Sequence, residues 1–343
     1  MSSQLDDSNQ DELFEHHRIQ VDPGQSPLRI DKFLIDRIPN TSRNKLQEAA
    51  KAGFIKANGV EVKSNYKVKP SEVITVELPY PVREIELIPE DIPLHILYED
   101  DQIIVVNKQA NMVVHPGYGN YTGTLVNGLI HHFQKLPLAK GTPAERPGLV
   151  HRLDKHTTGV MVVGKTEEAM MDLSRQFFER TSERRYWALV WGDVSEDGTI
   201  VGNLGRSPKN RKLMTVFEEG EAGKHAVTHY KSLKRFGYVS LVECKLETGR
   251  THQIRAHMKH LGHPLFNDLE YGGDKVLKGT TFTKYKQFVD NCFKLIPGQA
   301  LHAKTLGFTH PKTKEWMSFD SDLPKGFQEI LEKWEHYLAH RKD

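Results

Sequence analysis

The sequence predicts an α+β protein in which a small helix-and-strand unit precedes a larger domain built on a mixed sheet. Three observations carry this. The chain has 343 residues, room for two or three domains at roughly 100–200 residues each. Pro79, Pro81, Pro89 and Pro93 interrupt the stretch up to Leu94, which no single regular element accommodates, so residues 79–92 read as a linker. Beyond it, strand-like runs alternate with helical ones without strict βαβ order, which argues against a doubly wound sheet.

Residues 1–27 lack apolar periodicity and carry six acids against Arg18, so an acidic, flexible tail is expected. From Leu28, RIDKFLIDRI sets Ile30, Phe33, Leu34 and Ile38 at helical spacing. Thr41 or Ser42 is placed to cap a second helix through Leu46, Ala49 and Ala50, with Gly53 as its stop. Strands at Phe54–Lys56 and Val60–Val62 join through Asn58-Gly59, a dipeptide suited to tight hairpins. Val73–Leu78 closes this domain at residues 28–78. In the second domain, 93–343, HILYED, QIIVVNK, GVMVVGK, RYWALVWG and SLVECKLE read as strands. Helices are expected over Glu167–Arg180, after Thr251 as far as Gly262, and over Pro324–His340.

Hydrophobic residues at 38% against 27% charged describe an ordinary globular chain. No apolar run approaches the roughly 18–20 residues that span a bilayer. The N-terminus is acidic where a secretory signal needs a basic start and an apolar centre. Cys244 and Cys292 are too few for a disulfide framework and lack zinc-site spacing. A cytoplasmic protein without membrane attachment is expected.

The net charge of +2 conceals polarity along the chain. Residues 28–76 hold ten bases against five acids, and residues 203–235 hold eight against three. Such asymmetry suggests a polyanionic partner such as nucleic acid, although a basic face can equally be merely solvated. The candidate contacts are Arg29, Lys32, Arg43, Lys45, Lys51 and Lys56 in the first stretch, and Lys209, Arg211 and Lys212 in the second.

Three motifs are candidates for chemistry. Gly159–Thr166 matches the Walker A pattern, but Val160-Met161-Val162-Val163 fills its variable positions and prefers a buried strand, whose N–H groups are already paired. His252, His257, His260 and His263 crowd one helix; no HExxH order accompanies them, so contacts to backbone, phosphate or water are expected in place of a zinc site. The densest concentration of special residues is RPGLVHRLDKHTTGVMVVGKT, residues 146–166. Here Asp154 is flanked by Arg152 and Lys155, and positive neighbours favour the ionised carboxylate a nucleophile requires. A structural salt bridge is the alternative reading of the same spacing.

HRLDKHTTG resembles the HRLD-x-x-TSG signature of the RluA-type pseudouridine synthases. HPGYGNYTGTLVNGL, RRYWALVWG, LETGRTHQIRAHM, LGHPL with DLEYGG, and QALHAKTLGFTHP follow in that family's order, so the similarity spans residues 93 to about 320. Residues 28–78 resemble an S4 RNA-binding domain, and the combination is most similar to the RluD branch, which modifies large-subunit ribosomal RNA. The resemblance implies a catalytic domain with a mixed, largely antiparallel sheet. It further implies an enzyme that extrudes a uridine and isomerises it with neither metal nor small-molecule cofactor, on ribosomal RNA or a pre-ribosomal particle. By position it casts Asp154 as the catalytic aspartate, Arg152 as the arginine that helps displace the base, Tyr186 as the aromatic under the uracil, and Arg255 as the partner of Asp154. Three positions depart from the family pattern: His156 for an acid, Gln109 for a proline, and Asn267 for a glycine. A non-catalytic RNA-binding or ribosome-assembly factor on the same fold, and a metal-dependent nuclease using the histidines, are the competing readings.

Overall fold

The computed structural model describes residues 13–38, 41–78, 87–117, 119–133, 148–218 and 221–340. They fall into two compact units, divided between Glu86 and Leu87.

The smaller unit contains β1 (Phe14–Gln20), β2 (Leu28–Arg29), α1 (Ile30–Ile35), α2 (Arg43–Lys51), β3 (Ile55–Ala57), β4 (Val60–Glu61), β5 (Lys67–Val68) and β6 (Val73–Leu78). Ser42 caps α2 by accepting the Lys45 N–H. Asn58 and Gly59 both take positive φ, 48° and 81°, as the tightest hairpin turns require. Ile30, Phe33, Leu34, Leu46, Ile55, Val68 and Ile74 close its core.

Residues 13–27 are not the flexible tail expected of the 1–27 segment, whose first twelve residues lie outside the described ones. Phe14–Gln20 pairs antiparallel with β6 at the edge of a sheet ordered β1-β6-β3-β4. An edge strand is held largely by its backbone bonds, so FEHHRIQ needs no strong apolar alternation and left little trace in the periodicity. The acid at its own helix start is also structural. Asp31, fully buried, accepts bonds from Arg29, Arg43 and Gln47; burial opposes its charge, but these bonds prevail and hold the carboxyl below the usual carboxylate range.

The larger unit contains β7 (Ile96–Glu99), β8 (Ile103–Lys108), α3 (Leu125–Phe133), β9 (Thr158–Gly164), α4 (Glu167–Glu179), β10 (Glu183–Trp191), β11 (Gly198–Arg206) and β12 (Met214–Phe217). It continues with β13 (Lys224–Arg235), β14 (Val239–Leu246), α5 (Gln253–His260), α6 (Thr283–Phe293), β15 (Leu301–Thr309), β16 (Trp316–Asp320) and α7 (Lys325–His340). The strands form one sheet ordered β12-β11-β13-β14-β10-β15-β9-β8-β7, with β16 also on β15. Only β15 and β9 pair in parallel among the described strands.

Strand alternation sends successive side chains to opposite faces, and each face has its own helices. Ala188 and Val190 of β10 pack with Leu125 and Leu129 of α3 and with Ile254 and Met258 of α5. Leu189 and Trp191 pack with Val289 of α6 and with Phe327, Ile330 and Trp334 of α7. Val160–Val163, the apolar run of the Walker-like match, is buried in β9. Residues 79–86 of the expected linker lie outside the described residues. Its remainder, 87–92, is bound to α3: Asn127 donates to the Ile88 carbonyl at 2.7 Å, and the Glu90 N–H reaches the Asn127 carbonyl at 3.1 Å.

Candidate active site

Asp154 sits in the loop that enters β9. Leu153 beside it is anchored in the core on the α3 and α5 side, and the Asp154 carbonyl accepts the Thr157 N–H at 3.1 Å. Two bonds tie this turn to β15 and the residues before it: Gln299 donates to Thr157 Oγ1 at 3.1 Å, and Thr158 Oγ1 pairs with His302 Nδ1 at 2.7 Å. Gly159, at φ 113°, permits the close parallel approach, because a Cβ there would stand 2.2 Å from the Ala303 carbonyl oxygen. From β8, the fully buried Lys108 donates to the carbonyls of Gln109 and Met112 at 2.8 Å and of Lys155 at 3.2 Å. Burial pushes its ammonium down to about 7, against the pull of Asp154.

Arg255 reaches the same place from α5. That helix starts with His252 at φ 54°. Gln253 fastens its first turn: its amide donates to the Val227 carbonyl, and its Oε1 accepts from Thr248 and Arg250. The guanidinium fork is fully engaged. Nε and Nη2 each donate to Asp268 at 2.7 Å, Nη2 also reaches Glu270 at 2.6 Å, and Nη1 meets Asp154 Oδ2 at 3.2 Å. Burial disfavours the cation, but the buried Asp268 outweighs it and holds the guanidinium above its already high pKa. Arg255 also lies over the Tyr271 ring, 4.8 Å from its centre.

Tyr186 stands in β10 at a register shift. Arg185 pairs with Thr305 and Tyr186 with Ala303, so β15 carries Lys304 as one extra residue; such bulges re-aim neighbouring side chains. The tyrosine is buried, and burial pushes its phenol up. Asp154, Tyr186, Arg152 and His252 all line one cleft of about 560 Å³. A recess of about 60 Å³ adjoins the same aspartate and tyrosine and is lined by Arg255. Arg152 is exposed, with Nη1 3.4 Å from His115 Nε2. The four expected site residues, 103 positions apart in sequence at their extremes, thus line this cleft and its adjoining recess.

The basic candidates separate into groups. Lys32, Lys45 and Lys51 are exposed on the small unit. Arg29 and Arg43 hold Asp31, and the half-buried Lys56 is paired with Glu77 at 2.7 Å. Lys209, Arg211 and Lys212 are exposed in the turn between β11 and β12. The clustered histidines disperse: His257 meets Thr228, His263 donates to the Trp191 carbonyl, and His252 contacts Tyr271 and lies 3.8 Å from Asp154. Among the described residues no group of three or more His, Cys, Asp or Glu is placed to hold a metal ion. Of the departures, Asn267 does take positive φ, 61°, and spends its amide on the Phe293 and Ile296 carbonyls. His156 packs against Gly298. Sequence reasoning missed Asp268, Glu270 and Lys108; the first two lie within DLEYGG, where two closely spaced acids near a buried arginine were the available signal.

An aspartate in the loop entering β9, a buried arginine and a buried tyrosine thus meet at one cleft beside the central strands of the sheet. The sequence model described as RNA pseudouridylate synthase matches residues 102–260. An uncharacterized RNA pseudouridine synthase of Chlorobaculum parvum is 46% identical over 92% of this chain and 96% of its own length. Ribosomal large subunit pseudouridine synthases D are similar too: that of Neisseria meningitidis serogroup B is 43% identical over 88% of this chain and 78% of its own, and that of Xylella fastidiosa 42% over 91% and 90%. The structure of human RNA pseudouridylate synthase domain containing 4 superposes with a TM-score of 0.53 at 25% identity, over 70% of this chain and 93% of that one. The chain belongs to the RNA pseudouridine synthase family and is an isomerase of uridine in RNA. No helix among the described residues is long and apolar enough to cross a membrane.

Proposed function

We propose that the substrate is large-subunit ribosomal RNA, that Asp154 is the nucleophile, and that Arg152, Tyr186 and Arg255 serve it. The observation that carries the catalytic part is the Arg255 fork. Three of its bonds go to Asp268 and Glu270, which leaves Nη1 facing Asp154 at 3.2 Å. A planar fork immobilised in this way orients the carboxylate.

The reaction breaks the bond between uracil N1 and ribose C1′, turns the base and joins C5 to C1′; the C5 proton leaves and N1 gains one. The target must first leave its stack, at a few kcal/mol. Tyr186 stacks on the extruded uracil, an interaction worth roughly 1–3 kcal/mol per base, and Arg152, exposed at the mouth of the cleft, occupies the position the base vacates. Asp154 then attacks the nucleotide, with Arg255 balancing charge as the carboxylate is consumed and restored. The ribosomal assignment is supported by relatives at 42–43% identity over most of the chain that are named for that substrate, and a ribosomal substrate goes with a cytoplasmic enzyme. Lys32, Lys45 and Lys51 of the S4-like unit contact phosphate and set position rather than chemistry.

Asp154→Asn tests the assignment. The amide is isosteric and keeps a hydrogen-bond acceptor, so RNA affinity should stay within about twofold while isomerisation disappears. Turnover within tenfold of the parent chain would remove Asp154 from its role. If neither parent nor variant forms pseudouridine in ribosomal RNA from cells lacking this protein, ribosomal RNA is not the substrate and the assignment of the target fails.

A further inference from the structure

The cleft beside Asp154 extends to a second set of residues that the isomerisation does not use. Arg184, in β10, is only 7% exposed. Among the described residues its Nε has no hydrogen-bond partner, no acid pairs with it, and its one hydrogen bond is a long 3.4 Å contact from Nη2 to the Glu247 carbonyl. The guanidinium lies 5.4 Å from the centre of the Phe177 ring and against Gly249, where a Cβ would come 2.7 Å from Nη1. A buried cation without a counter-charge is costly. Arg180, on the same cleft, repels it further.

Arg180 is itself held at a cost. It ends α4 in the left-handed conformation, φ 62° and ψ 31°, where glycine is the usual and less strained residue. Phe178, two positions earlier, is 86% exposed on the same cleft wall. The acids on that wall are committed elsewhere: Asp154 to Arg255, and Glu247 to His229 at 2.7 Å. Two like charges, one of them desolvated and the other strained, together with a bare aromatic ring, form a site that is completed by an anion carrying a flat ring.

We propose that Arg184, Arg180 and Phe178 form a subsite for the nucleotide adjoining the extruded uridine, its phosphodiester between the two arginines and its base on Phe178. This rests on the reading of Asp154 as the centre of the reaction. The subsite binds and orients; it does not touch the reacting atoms. It gives the enzyme a hold on the strand that survives when the target base has left the stack. It favours RNA in which the neighbouring nucleotide is unpaired, since a paired base cannot reach the ring.

The probe is the shortest ribosomal RNA stem-loop that the full-length chain isomerises, compared with the same RNA carrying a neutral methylphosphonate at one phosphate flanking the target. Arg180→Gly relieves the left-handed strain, so the variant should melt at or above the parent temperature while KM rises roughly tenfold, the scale of one charged hydrogen bond. Phe178→Ala, a surface change, should also raise KM roughly tenfold; kcat should stay within about twofold for both. Arg184→Lys keeps the charge without the fork and should fall between parent and Arg184→Gln, each checked for an unchanged melt. One flanking methylphosphonate should weaken the parent at least as much as Arg180→Gly does, and should weaken that variant less than it weakens the parent, because only Arg184 is then left to lose. If the parent turns over the stem-loop but neither the neutral linkages nor the variants move KM, the subsite is absent and the arginines are merely structural. If the parent modifies no ribosomal stem-loop, it is the substrate assignment that fails.

Discussion

Replacing Asp268 by asparagine should unfold the larger unit at markedly lower temperature, although Asp268 touches no substrate. Arg255 and Asp268 have side chains 4% and 0% exposed and share two bonds of 2.7 Å. Asparagine preserves the shape and one acceptor but turns an NH₂ group toward the guanidinium. Removing one partner of a buried ion pair costs about 3–5 kcal/mol. Glu270 and Asp154 still balance part of the charge, so the lower end, about 3 kcal/mol, is expected. At roughly 2–4 °C per kcal/mol for a domain of this size, the melting temperature should fall by about 6–12 °C. Near-ultraviolet circular dichroism reports it through the buried Trp191 and Trp334. Asp154→Asn is the internal control. Its carboxylate is one-fifth exposed and contacts Arg255 through a single longer bond of 3.2 Å, and Arg255 keeps its bonds to Asp268 and Glu270 without it, so its loss should shift stability clearly less than the loss of Asp268. A melt of Asp268→Asn within 2 °C of the parent, at about 3 kcal/mol expected, would refute the claim that Asp268 holds the arginine. So would an Asp154→Asn variant as unstable as Asp268→Asn.

Other outcomes follow from the same geometry. Single-turnover rates should rank Arg255→Ala as the most damaging change, then Arg255→Lys, then Lys155→Ala, because lysine restores charge without the fork; Lys155→Ala as the worst of the three would misplace the ion pair. Lys108 has a folded pKa of about 7, below its ordinary value, so between these the unfolded chain binds a proton the folded chain lacks and stability rises with pH. Urea unfolding at pH 7 and 8.5 should show the parent gaining roughly 1–2 kcal/mol relative to Lys108→Met; an equal response in both would show that Lys108 stays charged. Changing Lys32, Lys45 and Lys51 together to glutamine should flatten the salt dependence of RNA binding by roughly 0.7 log units of slope per lost single-strand phosphate contact, with kcat unaltered. An unchanged slope would take the RNA contacts away from that surface. Turnover should survive EDTA, since His252, His257 and His263 each serve a separate contact; loss restored by zinc would reverse that expectation.

Much of the molecule was legible in its residues. Local rules place α2 between Ser42 and Gly53, and the turn at Asn58-Gly59, because capping and positive φ act over a few residues. Apolar periodicity marks β8, β9, α4 and α5, whose buried faces are strong. It marks β1, β11, β12 and β13 poorly, because an edge or half-solvated strand draws its stability from backbone pairing with segments far away in sequence. The same limit applies to charge. Ten bases in the small unit look equivalent on paper, yet Asp31 and Glu77 hold Arg29, Arg43 and Lys56 in ion pairs.

Which residue types were available for chemistry is written in the chain, and its spaced motifs, read as a resemblance, pointed to Asp154, Arg152, Tyr186 and Arg255. It also decided that the Walker-like match is a strand, since four consecutive apolar residues favour burial over a phosphate loop. What surrounds them follows from the fold. Parallel pairing of β9 with β15 sets the Asp154 loop, a single extra residue in β15 turns Tyr186, and α5 brings Arg255 to Asp268, Glu270 and Asp154 together. Those partners are 13, 15 and 101 residues from the arginine. Distances of that kind arise from the order in which strands join a sheet, and no local property of the chain encodes that order.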